Sequence, residues 1–171
     1  MDLPSTAATT ENAPRTAAPP GVPTFARFDG PRDEAVAIVL ELCREVLPRL
    51  DPVHIEARAG MVHGLSLWTA RDRGNVVGFK LGHTGMPGSF FSWLGGVRTE
   101  FRRCGIATAL MQLQHRDLRT DGFRFVETRT RTDNPSMIML NLKHGFRIVG
   151  CELDSLQRHV VLQRKPLDAD A

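Results

Sequence analysis

Val97-Arg98-Thr99-Glu100-Phe101-Arg102-Arg103-Cys104-Gly105-Ile106-Ala107-Thr108-Ala109-Leu110 decides how this chain is read, because an apolar run passes there into a small-residue turn that opens an amphipathic helix. The first backbone N–H groups of a helix have no partner within it, and the helix dipole favours negative charge at that end. Such a turn binds phosphate mostly through main chain. Gly105 and Ala107 lack side chains large enough to block close approach, and Arg102 and Arg103 bring cationic donors to the same place. Val97, Arg102, Arg103, Cys104, Gly105, Ile106, Ala107 and Thr108 therefore form a candidate pyrophosphate cradle.

Outward from this turn, the helix from Gly105 to about Thr120 carries Ile106, Ala109, Leu110 and Leu113 on one face, and Asp121-Gly122 stops it before a strand over Phe123 to Thr128. A strand, a helix and a strand in that order imply a parallel pair within a mixed sheet. Upstream, apolar runs over Leu65–Ala70 and Val76–Leu81 flank the turn residues Asp72-Arg73-Gly74-Asn75. With Ser89–Val97, reached through Gly85-Met86-Pro87-Gly88, they predict a three-stranded antiparallel meander. Thr24–Phe28 reads as a short strand, Asp33–Leu47 as a helix ended by Pro48, and Pro52–Ala59 as a shorter helix. Downstream, Asn134-Pro135 supplies an N-cap and first-turn proline, and Lys143-His144-Gly145 a cationic last turn with a glycine stop. A hairpin over Phe146–Glu152 and Leu156–Arg164 closes the pattern.

The 171 residues, 42% of them hydrophobic, suit one domain over residues 24–166. Residues 1–23 are dominated by Pro, Ala and Thr and read as a disordered arm; 167–171 form a tail. The net charge of +3 is too small to name a partner, but the arginines crowd from Arg98 to Arg131, around the proposed cradle. A phosphorylated ligand accounts for them without nucleic acid. Three scattered cysteines, Cys43, Cys104 and Cys151, fit neither a disulfide framework nor a metal site and suggest a reducing, cytoplasmic setting. No secretory or membrane segment is expected. The histidines lack metal-ligand spacing, and Gly82-x-x-Gly85-x-x-Gly88 lacks the Lys-Ser/Thr of a nucleotide P-loop, so neither metal nor ATP is expected.

Arg102-x-x-Gly105-x-Ala107 fits the Arg/Gln-x-x-Gly-x-Gly/Ala pattern of the GNAT superfamily of acyl-CoA-dependent N-acyltransferases, and Asn134 to Phe146, as Asn-x-x-Met-x-x-Leu-Asn-x-Lys-x-Gly-Phe, is similar to the second half of that family's acyl-CoA site. The chain resembles this family from about Val76 to Arg164. The resemblance implies an α/β GNAT fold: a mixed, mostly antiparallel sheet of about six to seven strands, flanked by about four helices. It also implies that strands four and five, here Ser89–Val97 and Phe123–Thr128, splay apart so that a pantetheine arm pairs with strand four. Acetyl-CoA is then the co-substrate, with Asn134 and Asn141 added to the cofactor residues, and the expected activity is direct transfer of an acetyl group to a small-molecule or peptide primary amine. A homodimer is compatible with this; membrane and nucleic acid are not expected partners. The alternative is a CoA-binding regulatory or sensor module without catalysis.

Within that frame, the Gly95 and Gly96 backbone is the expected oxyanion donor through a bulge, worth roughly 3 kcal/mol in the transition state; the competing reading is that the two glycines only let a neighbour pack. Many relatives protonate the departing thiolate with a tyrosine. This chain has none, and Asn141 stands at that position, either donating to the sulfur or satisfied as a buried amide. A thiol of pKa about 8.5 can also take its proton from water. Where relatives often carry a strand-four base, the chain has Phe91 and Trp93, which read as acceptor-pocket residues, with Phe90, Trp68 and Met61 as further lining candidates; the competing reading is that an aromatic on a strand is simply core. The remaining base candidates are His83, otherwise a solvated strand residue, and Glu127, otherwise an ion-pair partner of Arg129 or Arg131.

Overall fold

The structure, a computed structural model, describes residues 21–167. Most of the proposed arm (1–23) and of the tail (167–171) lies outside the described residues. The elements run β1 (Thr24–Arg27), α1 (Arg32–Val46), α2 (Pro52–Met61), β2 (Ser66–Asp72), β3 (Asn75–Thr84), β4 (Ser89–Val97), a 3-10 turn at Thr99–Phe101, α3 (Ile106–Thr120), β5 (Phe125–Arg131), α4 (Pro135–Lys143), β6 (Arg147–Leu153) and β7 (His159–Pro166). The strands form one sheet in the order β1-β2-β3-β4-β5-β7-β6, antiparallel except for the β4–β5 pair.

Helices cover both faces. On one side α1 and α2 bury Val39, Leu42 and Ile55 against Leu67, Phe79 and Leu81. On the other, α3 and α4 pack on the alternate strand residues: Ile106 and Leu110 meet Trp68, Ala70 and Val77, while Met111 and Leu118 meet Phe90 and Val126. Because successive strand residues face opposite ways, every catalytic candidate belongs to one helical layer or the other.

Several boundaries differ from the sequence pattern for identifiable reasons. The fifth strand begins at Phe125, not Phe123, because Gly122 and Phe123 close the end of α3: their N–H groups bond the carbonyls of Arg119 and Leu118, the Schellman arrangement. The last strand begins at His159, not Leu156, because the Asp154 carboxylate accepts the N–H groups of Leu156 and Arg158 and holds that segment as a turn. Arg73 and Gly74, both at positive φ, make the expected two-residue turn between β2 and β3. The helix expected to end at Ala59 runs on to Met61.

Strands β4 and β5 pair over only Ser89–Phe91 and Phe125–Glu127. Beyond that point β4 continues to Val97 against β3 alone, and β5 continues to Arg131 against β7. The sheet therefore forks, as expected, and the Thr128 hydroxyl donates to the Ser92 carbonyl at 2.9 Å just inside the crotch. The expected bulge at Gly95-Gly96 is absent: those residues pair regularly with Lys80 and Phe79. The register slips instead between Leu81 and Gly82, leaving Trp93 as the extra residue of β4. Gly96 answers to packing, since a Cβ there would stand 2.5 Å from Val46 Cγ2 of α1.

Candidate active site at the fork

Below the fork, the turn into α3 leaves a run of backbone donors unengaged. Arg103 and Gly105 both have positive φ, 62° and 78°. Among the described residues, no hydrogen bond engages the N–H groups from Arg103 to Thr108; the first helical bond of α3 is Ala109 N–H to the Gly105 carbonyl. A run of undirected donors at a helix start is what a diphosphate needs. A Cβ at Gly105 would meet no protein atom within 4 Å, so the space over it is open and its φ alone demands glycine. Arg102 folds its Nε onto the Val97 carbonyl at 3.1 Å, and neither it nor Arg103 forms an ion pair among the described residues. Thr108 Oγ1 sits 3.2 Å from His144 Nε2, tying the start of α3 to the end of α4. Asn134 caps α4 by accepting the Met137 N–H, leaving its role to that helix.

On the α1/α2 face of the fork, His83, Phe91, Trp93 and Arg58 form one cluster. The His83 ring centroid lies 5.3 Å from that of Phe91 and 6.0 Å from that of Trp93, and the Arg58 guanidinium sits over both aromatic rings, at 5.3 and 5.1 Å. His83 is buried, not solvated. Its Nδ1 lies 2.8 Å from the Thr84 carbonyl, which assigns the proton to Nδ1 and leaves Nε2 a lone pair. Nε2 is buried with no partner among the described residues. Burial and the nearby Arg58 charge hold the imidazole below its ordinary pKa, the Thr84 carbonyl opposing them, so the ring is neutral near pH 7. Trp68 and Phe90 belong instead to the α3/α4 core, and Met61 is exposed, which removes all three from this pocket.

The opposite face holds a buried polar group. Lys80 is buried and donates to Ser92 Oγ at 2.7 Å. Burial lowers its pKa from 10.5 to about 8. His115 of α3 is also buried, its pKa driven to about 2 by burial and then by the charges of Lys80, Lys165 and others. Its Nε2 and both polar atoms of Gln114 have no partner among the described residues. Buried polar atoms are normally satisfied, by protein or by water.

Two sequence candidates land in quieter places. The Glu127 carboxylate accepts from Ser89 Oγ at 2.8 Å and from Arg164 Nε at 2.7 Å. Its ion-pair partner is Arg164 of β7, not Arg129 or Arg131, because β7 inserts between β5 and β6. Arg129 pairs with Glu152 and Arg131 with Asp133. Asn141 is buried and donates to Gln163 Oε1 at 2.9 Å, with Thr130 Oγ1 at 3.5 Å: a satisfied core amide. Sequence reasoning missed Arg58, Lys80 and Ser92. Only the fold brings them to the fork.

An apolar cleft of about 220 Å³ between α1 and α2 is lined by residues including Leu40, Cys43, Pro48 and Ile55; burial pushes the Cys43 thiol pKa up to about 11, and the cleft shares no lining residue with the cluster at the fork. Among the described residues no cluster of His, Cys, Asp and Glu is arranged to hold a metal ion, and no helix is long and apolar enough to cross a membrane.

Known structures share this architecture. An IAA acetyltransferase from Bacillus cereus ATCC 14579 superposes with a TM-score of 0.71 at 17% identity, covering 84% of this chain and 99% of the other. The ribosomal-protein-S18-alanine N-acetyltransferase from Escherichia coli gives 0.71 at 12% identity, covering 87% and 96%. An aminoglycoside 6'-acetyltransferase type Ii gives 0.70 at 16% identity, covering 86% and 99%. At such identities the likeness concerns the fold. No curated protein sequence matches the chain. The family description Acetyltransferase (GNAT) family matches residues 34–146, a span that includes the cradle, the fork and α4, and on that match the chain belongs to the GNAT family of acetyltransferases.

Proposed function

We propose that the protein moves an acetyl group from acetyl-CoA to a primary amine by direct attack, with His83 accepting the proton of the amine and Lys80, through Ser92, supplying one to the departing thiolate. The observation that carries this reading is the fork itself. It parts two faces, with an unpartnered imidazole nitrogen on one and a buried ammonium on the other.

The residues fit the donor molecule. The free N–H groups of Arg103 to Thr108, with the Arg102 and Arg103 side chains, would hold the diphosphate, and the open edge of β4 from Ser92 to Val97 would pair with the pantetheine amides. Acetyl-CoA supplies an activated carbonyl and a thiol leaving group. Nitrogen–carbon bond formation and carbon–sulfur cleavage leave one proton too many on nitrogen and one too few on sulfur. His83 Nε2 takes the first; Ser92 Oγ gives the second and is reprotonated by Lys80 Nζ, 2.7 Å away. The Lys80 pKa of about 8 is close to the roughly 8.5 of a free thiol, so the transfer is nearly level. This supplies the acid that the absent tyrosine would otherwise provide. Because His83 titrates below its usual range, it suits an amine whose own pKa the site lowers.

Release of CoA thiol on mixing the purified protein with acetyl-CoA and a panel of primary amines tests the reading. Amine-dependent release is expected. Thermal stabilisation by CoA with no amine-dependent release would support the regulatory alternative instead.

A further inference from the structure

We propose that the acceptor is a small amine that also carries a carboxylate, an amino acid or an ω-amino acid, whose carboxylate is held by Arg58 while its amine faces His83. This rests on the fork being an acetyl-transfer site and adds the chemistry of the acceptor.

Arg58 projects from α2 and is half-buried. Its guanidinium lies over Phe91 and Trp93, at 5.3 and 5.1 Å from their ring centroids. A guanidinium carries its five N–H donors in its own plane. Among the described residues, those donors meet no acceptor, and Arg58 forms no ion pair. Arg129, whose charge reaches Arg58, is itself paired with Glu152. Arg58 is thus a partly desolvated cation seated over two aromatic rings, and the edge that carries its N–H donors is claimed by no acceptor among the described residues. A planar carboxylate is the anion whose two oxygens match that edge.

The electrostatics point the same way. Burial works against the Arg58 charge, and Arg129 adds to the positive potential. The pocket would repel a polycation and attract an anion. An ammonium brought beside Arg58 is destabilised relative to the free amine, as the His83 imidazolium is. A carboxylate on the same molecule offsets that repulsion in binding while leaving the reacting nitrogen easier to deprotonate. The geometry suits one small molecule, because the Arg58 guanidinium and the His83 ring each lie 5.3 Å from the Phe91 centroid.

Thiol release from acetyl-CoA, measured with glycine, β-alanine and longer ω-amino acids against their amides, matched alkylamines and spermidine, tests the proposal. The free acid at the best chain length is expected to exceed its amide about 10- to 100-fold in kcat/KM, the worth of a charge-assisted hydrogen bond. Arg58→Gln should collapse that ratio toward one, mainly through KM, and Arg58→Lys should restore part of it. The same acid should raise the Tm of the wild-type CoA complex and not that of Arg58→Gln. Amides or spermidine serving as well as the acids, or a ratio unchanged in Arg58→Gln, overturns this proposal while leaving acetyl transfer intact. No thiol release above hydrolysis with any of these amines, where CoA still binds, removes the transfer reading and this proposal together.

Discussion

Lys80 Nζ donates to Ser92 Oγ at 2.7 Å, both residues buried and the pair enclosed on the α3 face of the fork. An uncompensated ammonium in such a place costs folding energy. In the folded protein its pKa is about 8 against 10.5 in the open chain, so the cost is complete below pH 8 and fades as pH rises to 10.5. At pH 7 it amounts to about 3 kcal/mol. Lys80→Met should therefore raise the denaturation midpoint at pH 7 and remove the gain in stability that the wild type shows between pH 8 and 10.5. Urea titrations across that range read both effects.

Lys80→Met and Ser92→Ala should both lower kcat, by about 10²-fold, through loss of the proton supplied to sulfur. A thioester whose leaving thiol has a lower pKa needs no such proton. Paired rate measurements with acetyl-CoA and an acetyl aryl thioester should therefore show the variants recovering on the second donor. Equal losses on both donors would assign these residues to packing alone.

His83→Gln keeps size and polarity but removes the basic Nε2, and should lower kcat/KM by about 10²- to 10³-fold while CoA affinity stays unchanged. Because burial and Arg58 depress the His83 pKa, the acidic limb assigned to this base should fall below pH 6.5. Arg58→Gln takes away the charge that lowers it and should move that limb upward, which a pH series of kcat/KM would reveal.

Gly105→Val places a branched side chain at φ 78° and in the open space over the cradle. The left-handed backbone conformation alone costs about 1–2 kcal/mol, and the branch also obstructs the donors from Arg103 to Thr108. Calorimetric affinity for CoA should fall at least tenfold, against a smaller change in Tm.

Gly96→Ala should destabilise by about 1–3 kcal/mol through overpacking, because its Cβ would stand 2.5 Å from Val46 Cγ2. Trimming the neighbour in a Val46→Ala/Gly96→Ala variant should recover much of that loss. Thermal denaturation of the two single variants and the double variant gives the coupling.

The turn proposed as the cradle was legible in the sequence because its determinants are local: Gly105 supplies the backbone conformation, and α3 starting at Ile106 supplies the donors. The helix boundaries around Asn134 and Gly122 were readable for the same reason. The groups proposed for proton transfer were not. Nothing near Lys80 distinguishes a buried strand lysine from a solvated one; α3, packed across β3 and β4, makes the difference. The extra residue at Trp93 sets both it and Leu94 against the α1 layer, so counting alternate positions along β4 misassigns the faces of the later residues in that strand. Arg58 depends on where α2 crosses Phe91, a tertiary fact. Glu127 and Asn141 were chosen by type and position, and β7 claims both through Arg164 and Gln163.

The forked sheet also acts as a partition. The groups proposed to serve the thiol, Lys80 and Ser92, are rooted in β3 and β4, whereas Arg58, proposed to hold the acceptor's carboxylate, hangs from α2 alone. Exchanging that short helix and its flanking loops would redirect the enzyme toward other nucleophiles without rebuilding the machinery that discharges the spent carrier.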